Sequence, residues 1–127
     1  MIVESKDIPG HPVPPTFSPV VDVEGAARLI FVSGQLGIRA DGTSADGIVA
    51  QGEIIMGNII AAAEAAGLGI PNIVKLTAFL TDPADFDEFV KLRARLLGSH
   101  RPASTLVYVA ALARPELRAE VEAIICA

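Results

Sequence analysis

Residues 101–112, RPASTLVYVAAL, form the stretch that decides the fold. Pro102 ends the preceding element, because the residue before a proline is pushed out of the helical region. The segment that follows is rich in β-formers, and both its odd-numbered and its even-numbered positions are largely apolar. A strand of that kind is covered on both faces. We therefore predict a central strand with helices on one side. We expect a second copy of the protein to cover the other side, including Leu106 and Tyr108.

Outward from this strand, the apolar periodicities predict the order β-β-α-β-α-β-β. This order fits an α+β domain, residues 16–127, with two helices on one face of a mixed β-sheet. Residues 1–15 contain four prolines and are predicted to be an extended, irregular lead-in. The predicted elements are a hairpin of strands at 17–23 and 28–32, a helix at 48–66, a strand at 73–80, a helix at 84–97, the strand within residues 101–112, and a last strand at 118–126 that closes the sheet.

Local signals set the ends of the two helices. Asp46 is placed to cap the first helix, and Gly67 is a typical residue just beyond a helix C-terminus. Thr81-Asp82-Pro83 is typical of a capped start with proline in the first turn, and it predicts where the second helix begins.

Composition excludes several classes of protein. With 127 residues the chain is expected to form one domain, and 51% apolar residues against 20% charged ones argue against disorder. A net charge of −5 argues against nucleic-acid binding, which depends on lysine and arginine neutralising phosphates. A single cysteine, Cys126, suits a reducing cytoplasm. We expect no signal peptide and no membrane-spanning run.

Two groups of polar residues are candidates for chemistry. Ser33-Gly34-Gln35 interrupts an apolar strand, and a glycine there often marks a bulge whose exposed N–H groups can hold a carboxylate. Glu120 and Glu122 leave the same face of the last strand, roughly 7 Å apart. Partial burial would raise the pKa of such carboxyls and suit them to acid–base work. The alternative is that each pairs with an arginine, for which the candidates are Arg28, Arg114 and Arg118.

Other chemistry finds little support. His11 is predicted to be a solvated loop residue, and no cluster of histidine, cysteine and acidic residues has metal-ligand spacing. No nucleophile stands beside either histidine in the sequence. Arg101 is more easily explained as a surface residue, although its guanidinium is long enough to reach a carboxylate. We expect no cofactor and no metal.

Several motifs together resemble the YjgF/Rid family of reactive-intermediate imine/enamine deaminases, over about residue 16 to the end. The motifs are Phe31-Val32-Ser33-Gly34-Gln35, Phe79-Leu80-Thr81-Asp82 with Asp85-Phe86, Pro102-Ala103-Ser104-Thr105, Val107-Tyr108-Val109-Ala110-Ala111-Leu112 and Glu120-Val121-Glu122-Ala123-Ile124. The resemblance implies a chorismate-mutase-like fold and a homotrimer with small-molecule pockets between subunits. It also implies that Glu120 positions the water that attacks an imine.

Three positions depart from the deaminase pattern. Ser104 occupies the place of the arginine that binds the substrate carboxylate, Phe17 that of a tyrosine, and Val90 that of an asparagine. Efficient deamination of 2-iminopropionate is therefore not expected, because a charge-assisted pair is lost. The candidate catalytic residue is Glu120. The candidate binding residues are Phe17, Ser33, Gly34, Gln35, Phe89, Arg101, Ser104, Thr105 and Glu120.

Three functions stay open at this point. The first is a hydrolase of another small molecule, and the second is a trimer that binds a ligand or partner without catalysis. The third is ribonuclease-like activity, as described for some relatives, which the acidic composition disfavours. Neither a nucleic-acid nor a membrane partner is expected.

Overall fold

A computed structural model describes all 127 residues and contains six strands and two α-helices. Short 3₁₀ turns at Ile70–Asn72 and Pro83–Asp85 precede the fourth strand and the second helix. The elements are β1 (Ile2–Lys6), β2 (Val20–Glu24), β3 (Leu29–Leu36), α1 (Gly47–Ala65), β4 (Ile73–Leu80), α2 (Phe86–Leu97), β5 (Ala103–Tyr108) and β6 (Ala119–Cys126).

The main sheet is mixed and has the strand order β3-β6-β4-β5. Strands β4 and β5 are parallel, as the α2 crossover between them requires, and the other pairs are antiparallel. Both helices lie on one face, where they enclose a single apolar core. This confirms the predicted α+β architecture. The largest fully buried apolar side chains are those of Ile55, Met56, Ile59, Ile73, Leu76, Leu80, Phe89, Leu117, Val121 and Ile125.

The strand predicted within residues 101–112 lies at the edge of the sheet, so the prediction of a central strand was wrong. Among the strands, β5 pairs only with β4 and ends at Tyr108, and its first residue also forms an isolated bridge with Ser18. β6 occupies an interior position between β3 and β4. The expectation for Leu106 was also wrong, because this side chain packs against the helix-side core. A strand's own composition reports that both faces are covered, but its pairing partners depend on distant segments.

The predicted hairpin between residues 17–23 and 28–32 is replaced by a different pairing. β2 pairs antiparallel with β1, in a small separate sheet running from Ile2↔Glu24 to Lys6↔Val20. The prolines of the lead-in begin only at Pro9, so residues 2–6 are free to form a ladder. After β2 the chain turns at Gly25, which has a φ of 72°, and enters the main sheet as β3.

Helix α1 begins and ends close to the predicted residues. Gly67 adopts a φ of 76°, the left-handed conformation expected just beyond a helix. Asp46 stands at the N-cap position, but its side chain makes no capping hydrogen bond. By length and composition alone α1 is apolar enough to cross a membrane, contrary to the sequence-based expectation. Ile55, Met56 and Ile59 of this helix are sealed in the core, as in the central helix of a globular domain.

A half-buried ion pair connects the start of α2 to the start of β6. Asp82 caps the turn before α2 by accepting a hydrogen bond from the Ala84 N–H at 2.9 Å. The Asp85 carboxylate, which is 8% exposed, accepts two hydrogen bonds from the Arg118 guanidinium, at 2.7 and 2.9 Å. This bidentate geometry and the charge of Asp85 raise the pKa of Arg118. The pair sets the position of the strand that carries Glu120.

Gln51 of α1 is fully buried and satisfies three backbone groups. Its Nε2 donates to the carbonyls of Ala45 and Glu116, at 3.0 and 2.9 Å, and its Oε1 accepts from the Arg118 N–H at 2.7 Å. The side chain therefore ties two loops to the helix. It also lies where a Cβ on Gly37 would be, since such an atom would come within 2.4 Å of the Gln51 Cβ.

We predict that Gln51→Leu lowers the free energy of unfolding by about 2–4 kcal/mol, because it leaves three buried backbone groups without partners. Urea denaturation at one fixed protein concentration measures the change. Glu53→Ala is the matched control on the same helix. It removes only a surface pair with Arg95 and should cost at most about 1 kcal/mol. Equal effects of the two substitutions would contradict the role given to Gln51.

Candidate ligand pocket

The face of the main sheet opposite the helices carries both apolar and acidic side chains. Phe31 and Leu29 of β3 are 71% and 60% exposed, and Val107 of β5 is 40% exposed. Glu120 and Glu122 project from β6 on the same face, which confirms the predicted alternation along this strand. A depression of about 300 Å³ on this face is lined by Phe31, Val32, Ser33, Lys75, Thr77, Glu122, Ala123 and Ile124.

A β-bulge at Ser33 and Gly34 brings Gly34 next to the Glu120 carboxylate. Between Val32 and Gln35 the register against β6 shifts by one residue, as the glycine in this strand predicted. A Cβ on Gly34 would lie 2.0 Å from the Glu120 Oε1, so the carboxylate packs directly over the glycine. The absence of a side chain at Gly34 is therefore what gives the Glu120 carboxylate its place.

Neither glutamate pairs with an arginine. Arg28 donates to the Ala66 carbonyl, Arg114 to the Gly42 carbonyl and the Ser44 hydroxyl, and Arg118 to Asp85. The nearest lysine on this face, Lys75, donates instead to the Thr105 hydroxyl at 2.7 Å. The proposed arginine partners are thus engaged elsewhere, and the Glu120 carboxylate forms no ion pair.

Gln35 lies farther from the acidic face than expected. Beyond the bulge, its amide nitrogen donates to the Ser33 carbonyl at 2.9 Å, and its amide oxygen accepts from Asn58 of α1 at 3.2 Å. The side chain therefore connects β3 to the helix layer. Within a single chain it supports the bulge and does not point toward Glu120.

A second pocket, of about 200 Å³, opens on the helix side of the sheet, beside the edge strand β5. Ser104 and Leu106 line it from β5, and Phe17 lines it from the segment before β2. Val90 of α2, one of the three predicted departures from the family pattern, also lines this pocket. The full lining is Thr16, Phe17, Phe86, Val90, Arg93, Ser104 and Leu106.

The residue that the sequence analysis missed is Arg93. Its side chain is almost completely buried, at 4% exposure, and its Nη1 donates to the Ser104 hydroxyl at 2.9 Å. A guanidinium therefore lies against Ser104, the position at which the family resemblance predicts a missing arginine. Phe89, Arg93 and Leu97 recur every four residues on α2 and are all buried, and this spacing was the available signal.

Two other predicted site residues lie apart from Ser104. Arg101 donates to the carbonyls of Gly98, His100 and Pro15, at 2.6, 3.0 and 3.3 Å, and lines a separate depression that shares Phe17 with the pocket. Phe89 is fully buried in the core, with the Arg93 guanidinium carbon 5.7 Å from the centre of its ring. Arg101 is thus held by its own loop, and Phe89 supports Arg93 from behind.

The predicted site residues therefore form two groups on opposite faces of the sheet. Ser33, Gly34, Thr105 and Glu120 belong to the open face, and Phe17 and Ser104 belong to the helix-side pocket. Ser104 and Thr105 are neighbours in sequence but project in opposite directions, because side chains alternate along a strand. No single-chain cavity contains both groups.

Comparisons with known proteins agree with the fold and with the motifs. A family model described as endoribonuclease L-PSP matches residues 13–127. Protein HMF1 of Saccharomyces cerevisiae is 36% identical over 86 residues, which cover 67% of each chain. Two solved structures are similar over most of their length. YyfB of the Rid protein family from Yersinia pestis has a TM-score of 0.86 at 25% identity, with all of both chains covered. RidA from an Antarctic Psychrobacter has a TM-score of 0.74 at 34% identity, covering 88% of this chain and 89% of its own.

We predict that Gly34→Ala displaces the Glu120 carboxylate with little loss of stability, because the atom that must move is the end of a flexible side chain. The ¹³C resonance of the Glu120 carboxyl should shift, while the free energy of unfolding changes by less than about 1 kcal/mol. Gly57→Ala is the control, since nothing lies within 4 Å of a Cβ there. It should stabilise α1 by up to about 1 kcal/mol and leave the resonance in place. An unshifted resonance in Gly34→Ala would contradict the contact.

Proposed function

Because the chain belongs to the YjgF/Rid family, we propose that it is a homotrimeric hydrolase acting on a small molecule in a pocket between two subunits. The observation that carries this proposal is the unpaired Glu120 carboxylate, held over Gly34 on a sheet face that also exposes Phe31 and Leu29. An acidic group placed among exposed apolar side chains suits a surface that a second subunit covers.

Assembly would also explain why the site residues are divided. One group lies on the open face around Glu120, and the other lies around Ser104 at the edge strand. Where the open face of one subunit meets the edge strand of its neighbour, each would complete the other's half-site. A monomer offers no cavity with both.

We predict that multi-angle light scattering at micromolar concentration gives about three times the 13.2 kDa chain mass. Phe31→Lys should reduce that mass to that of a single chain, because it places a charge in the centre of the apolar face. Val49→Lys is the control, as Val49 is 42% exposed but lies on α1. A wild-type monomer, or a Phe31→Lys trimer, would contradict this interface.

Glu120 is the proposed catalytic residue. A carboxylate without an ion pair can accept a proton from water as the water oxygen attacks an electrophilic carbon, such as that of an imine. That proton passes to the imine nitrogen as the carbon–nitrogen double bond becomes single, which gives a carbinolamine. The hydroxyl proton of the carbinolamine then moves to the same nitrogen while the carbon–nitrogen bond breaks and a carbon–oxygen double bond forms, so that ammonia and a carbonyl compound are released. This is deaminase-like hydrolysis, and it requires no cofactor.

Short 2-imino acids are proposed to be poor substrates. Ser104 offers a neutral hydroxyl where the deaminases have a guanidinium, and Phe17 lacks a hydroxyl. The substitution Ser104→Arg alone would not repair the site, since its guanidinium would meet that of Arg93. A repaired site needs an arginine at position 104 of β5 and, at the same time, no arginine at position 93 of α2.

We predict that the wild-type protein barely accelerates pyruvate and ammonia release from 2-iminopropionate generated in place from serine. The double variant Arg93→Ala/Ser104→Arg should act at least about tenfold faster, because the strand then carries the arginine. Adding Glu120→Gln should abolish that gain. Ser104→Arg alone is the control and should gain little. Fast wild-type turnover would contradict the proposed substrate preference, and a Glu120-independent gain would contradict the catalytic role.

A trimer that binds its ligand without catalysis is the second candidate. It is favoured by the loss of three polar groups from the deaminase pattern, at Phe17, Val90 and Ser104. Ribonuclease activity, which the description of the family model suggests, is not favoured. The net charge is −5, and Lys75 on the open face is engaged with Thr105, so the chain offers no basic stripe for phosphates.

A further inference from the structure

Arg93 is a buried cation that the fold leaves largely unpartnered. Of its three nitrogens only Nη1 has an acceptor, the Ser104 hydroxyl, and no carboxylate lies within 4.0 Å of the guanidinium. Every sealed side-chain nitrogen and oxygen in the chain has a hydrogen-bond partner. Since Nε and Nη2 have no partner, both keep some solvent-accessible surface, and Arg93 lines the pocket beside Ser104.

The stability of the fold does not account for this charge. Burial lowers the pKa of Arg93, since water is removed from the guanidinium, but arginine stays protonated in proteins. A buried unpaired charge is costly, and the ring of Phe89 offsets only part of that cost. A leucine would fill the same place on α2 without a charge. A ligand that arrives with a negative charge would supply the missing partner.

The surroundings of the guanidinium select the kind of anion. Phe17, Phe86, Val90 and Leu106 make the pocket mostly apolar, and its volume is about 200 Å³. There is one cation, so one negative charge is balanced. The Ser104 hydroxyl accepts from Arg93 and keeps its own proton free to donate. A carboxylate takes one hydrogen bond from each of two such donors, while the apolar walls receive an aliphatic body.

We infer that Arg93, acting with Ser104, binds the carboxylate of a small organic monocarboxylate that occupies the proposed intersubunit pocket. The inference rests on the proposed function for the existence of that pocket. It assigns the anion-binding role to a residue of α2, in place of the strand arginine that this chain lacks. Arg93 is thus a specificity-determining residue, and an acid with a longer aliphatic body is favoured over a three-carbon one.

The test is calorimetric binding of butanoate, hexanoate, the neutral amide hexanamide and inorganic phosphate to the intact wild-type protein. Hexanoate should bind at least about tenfold more tightly than hexanamide, because the amide cannot form the charge-assisted pair. It should also bind roughly tenfold more tightly than butanoate, as each buried methylene contributes a factor of ~3–4. Phosphate, which carries more charge than one arginine balances, should show no measurable binding.

Two variants identify the residue. Arg93→Met removes the charge but keeps the aliphatic length, and it should weaken hexanoate binding at least about tenfold. Ser104→Asp gives Arg93 an internal carboxylate, so the melting temperature should rise while hexanoate binding is lost. Arg95→Met is the control, since Arg95 is exposed and pairs with Glu53 on the surface. It should leave binding unchanged.

Three outcomes would overturn the inference: equal affinity for hexanoate and hexanamide, unchanged binding in Arg93→Met, or no binding of either carboxylate. Light scattering on the same samples separates these results from the proposed function. A wild-type trimer that binds no carboxylate removes only the role of Arg93. A monomer that binds hexanoate through Arg93 removes the intersubunit pocket and leaves the anion site.

Discussion

The structure depends on the interior position of β6. This strand is bonded on both sides, to β3 and to β4, so its register is fixed twice. The odd-numbered residues of β6 are buried under the helices: Ala119, Val121, Ala123 and Ile125. The even-numbered residues are therefore forced to the open face, and they include Glu120 and Glu122. A slip of one residue would bury both acids and expose the core, so the packing of the odd-numbered residues holds the candidate catalytic carboxylate in place.

Much of the fold followed from local signals in the sequence. Gly67 and the Asp82-Pro83 pair predicted the ends of the helices because glycine and proline restrict or permit particular backbone angles at their own positions. Strand pairing is not local, and there the predictions were wrong. β1 was placed in an irregular lead-in, β2 was paired with β3, and β5 was placed in the centre. Hydrogen-bond partners far apart in sequence leave little trace in the composition of either strand.

Only part of the candidate site could likewise be predicted from local signals in the sequence. The bulge at Gly34 and the shared face of Glu120 and Glu122 followed from strand geometry. Arg93 was not recognised, although its spacing from Phe89 and Leu97 set it on the inner face of α2. A charged residue is normally assigned to solvent, and the contact with Ser104 exists only because β5 runs beside α2 in three dimensions.

In the proposed trimer, the two faces of the main sheet are covered by reactions of different kinetic order. All contacts of the helix-side core lie within one chain, so this core forms at a rate independent of protein concentration. Covering Phe31 and Leu29 by another molecule is a second-order event, which slows as the protein is diluted. A newly made chain would therefore exist for a time as a folded monomer with an exposed apolar surface. Its lifetime would be set by encounter with other copies and not by the folding of the domain itself.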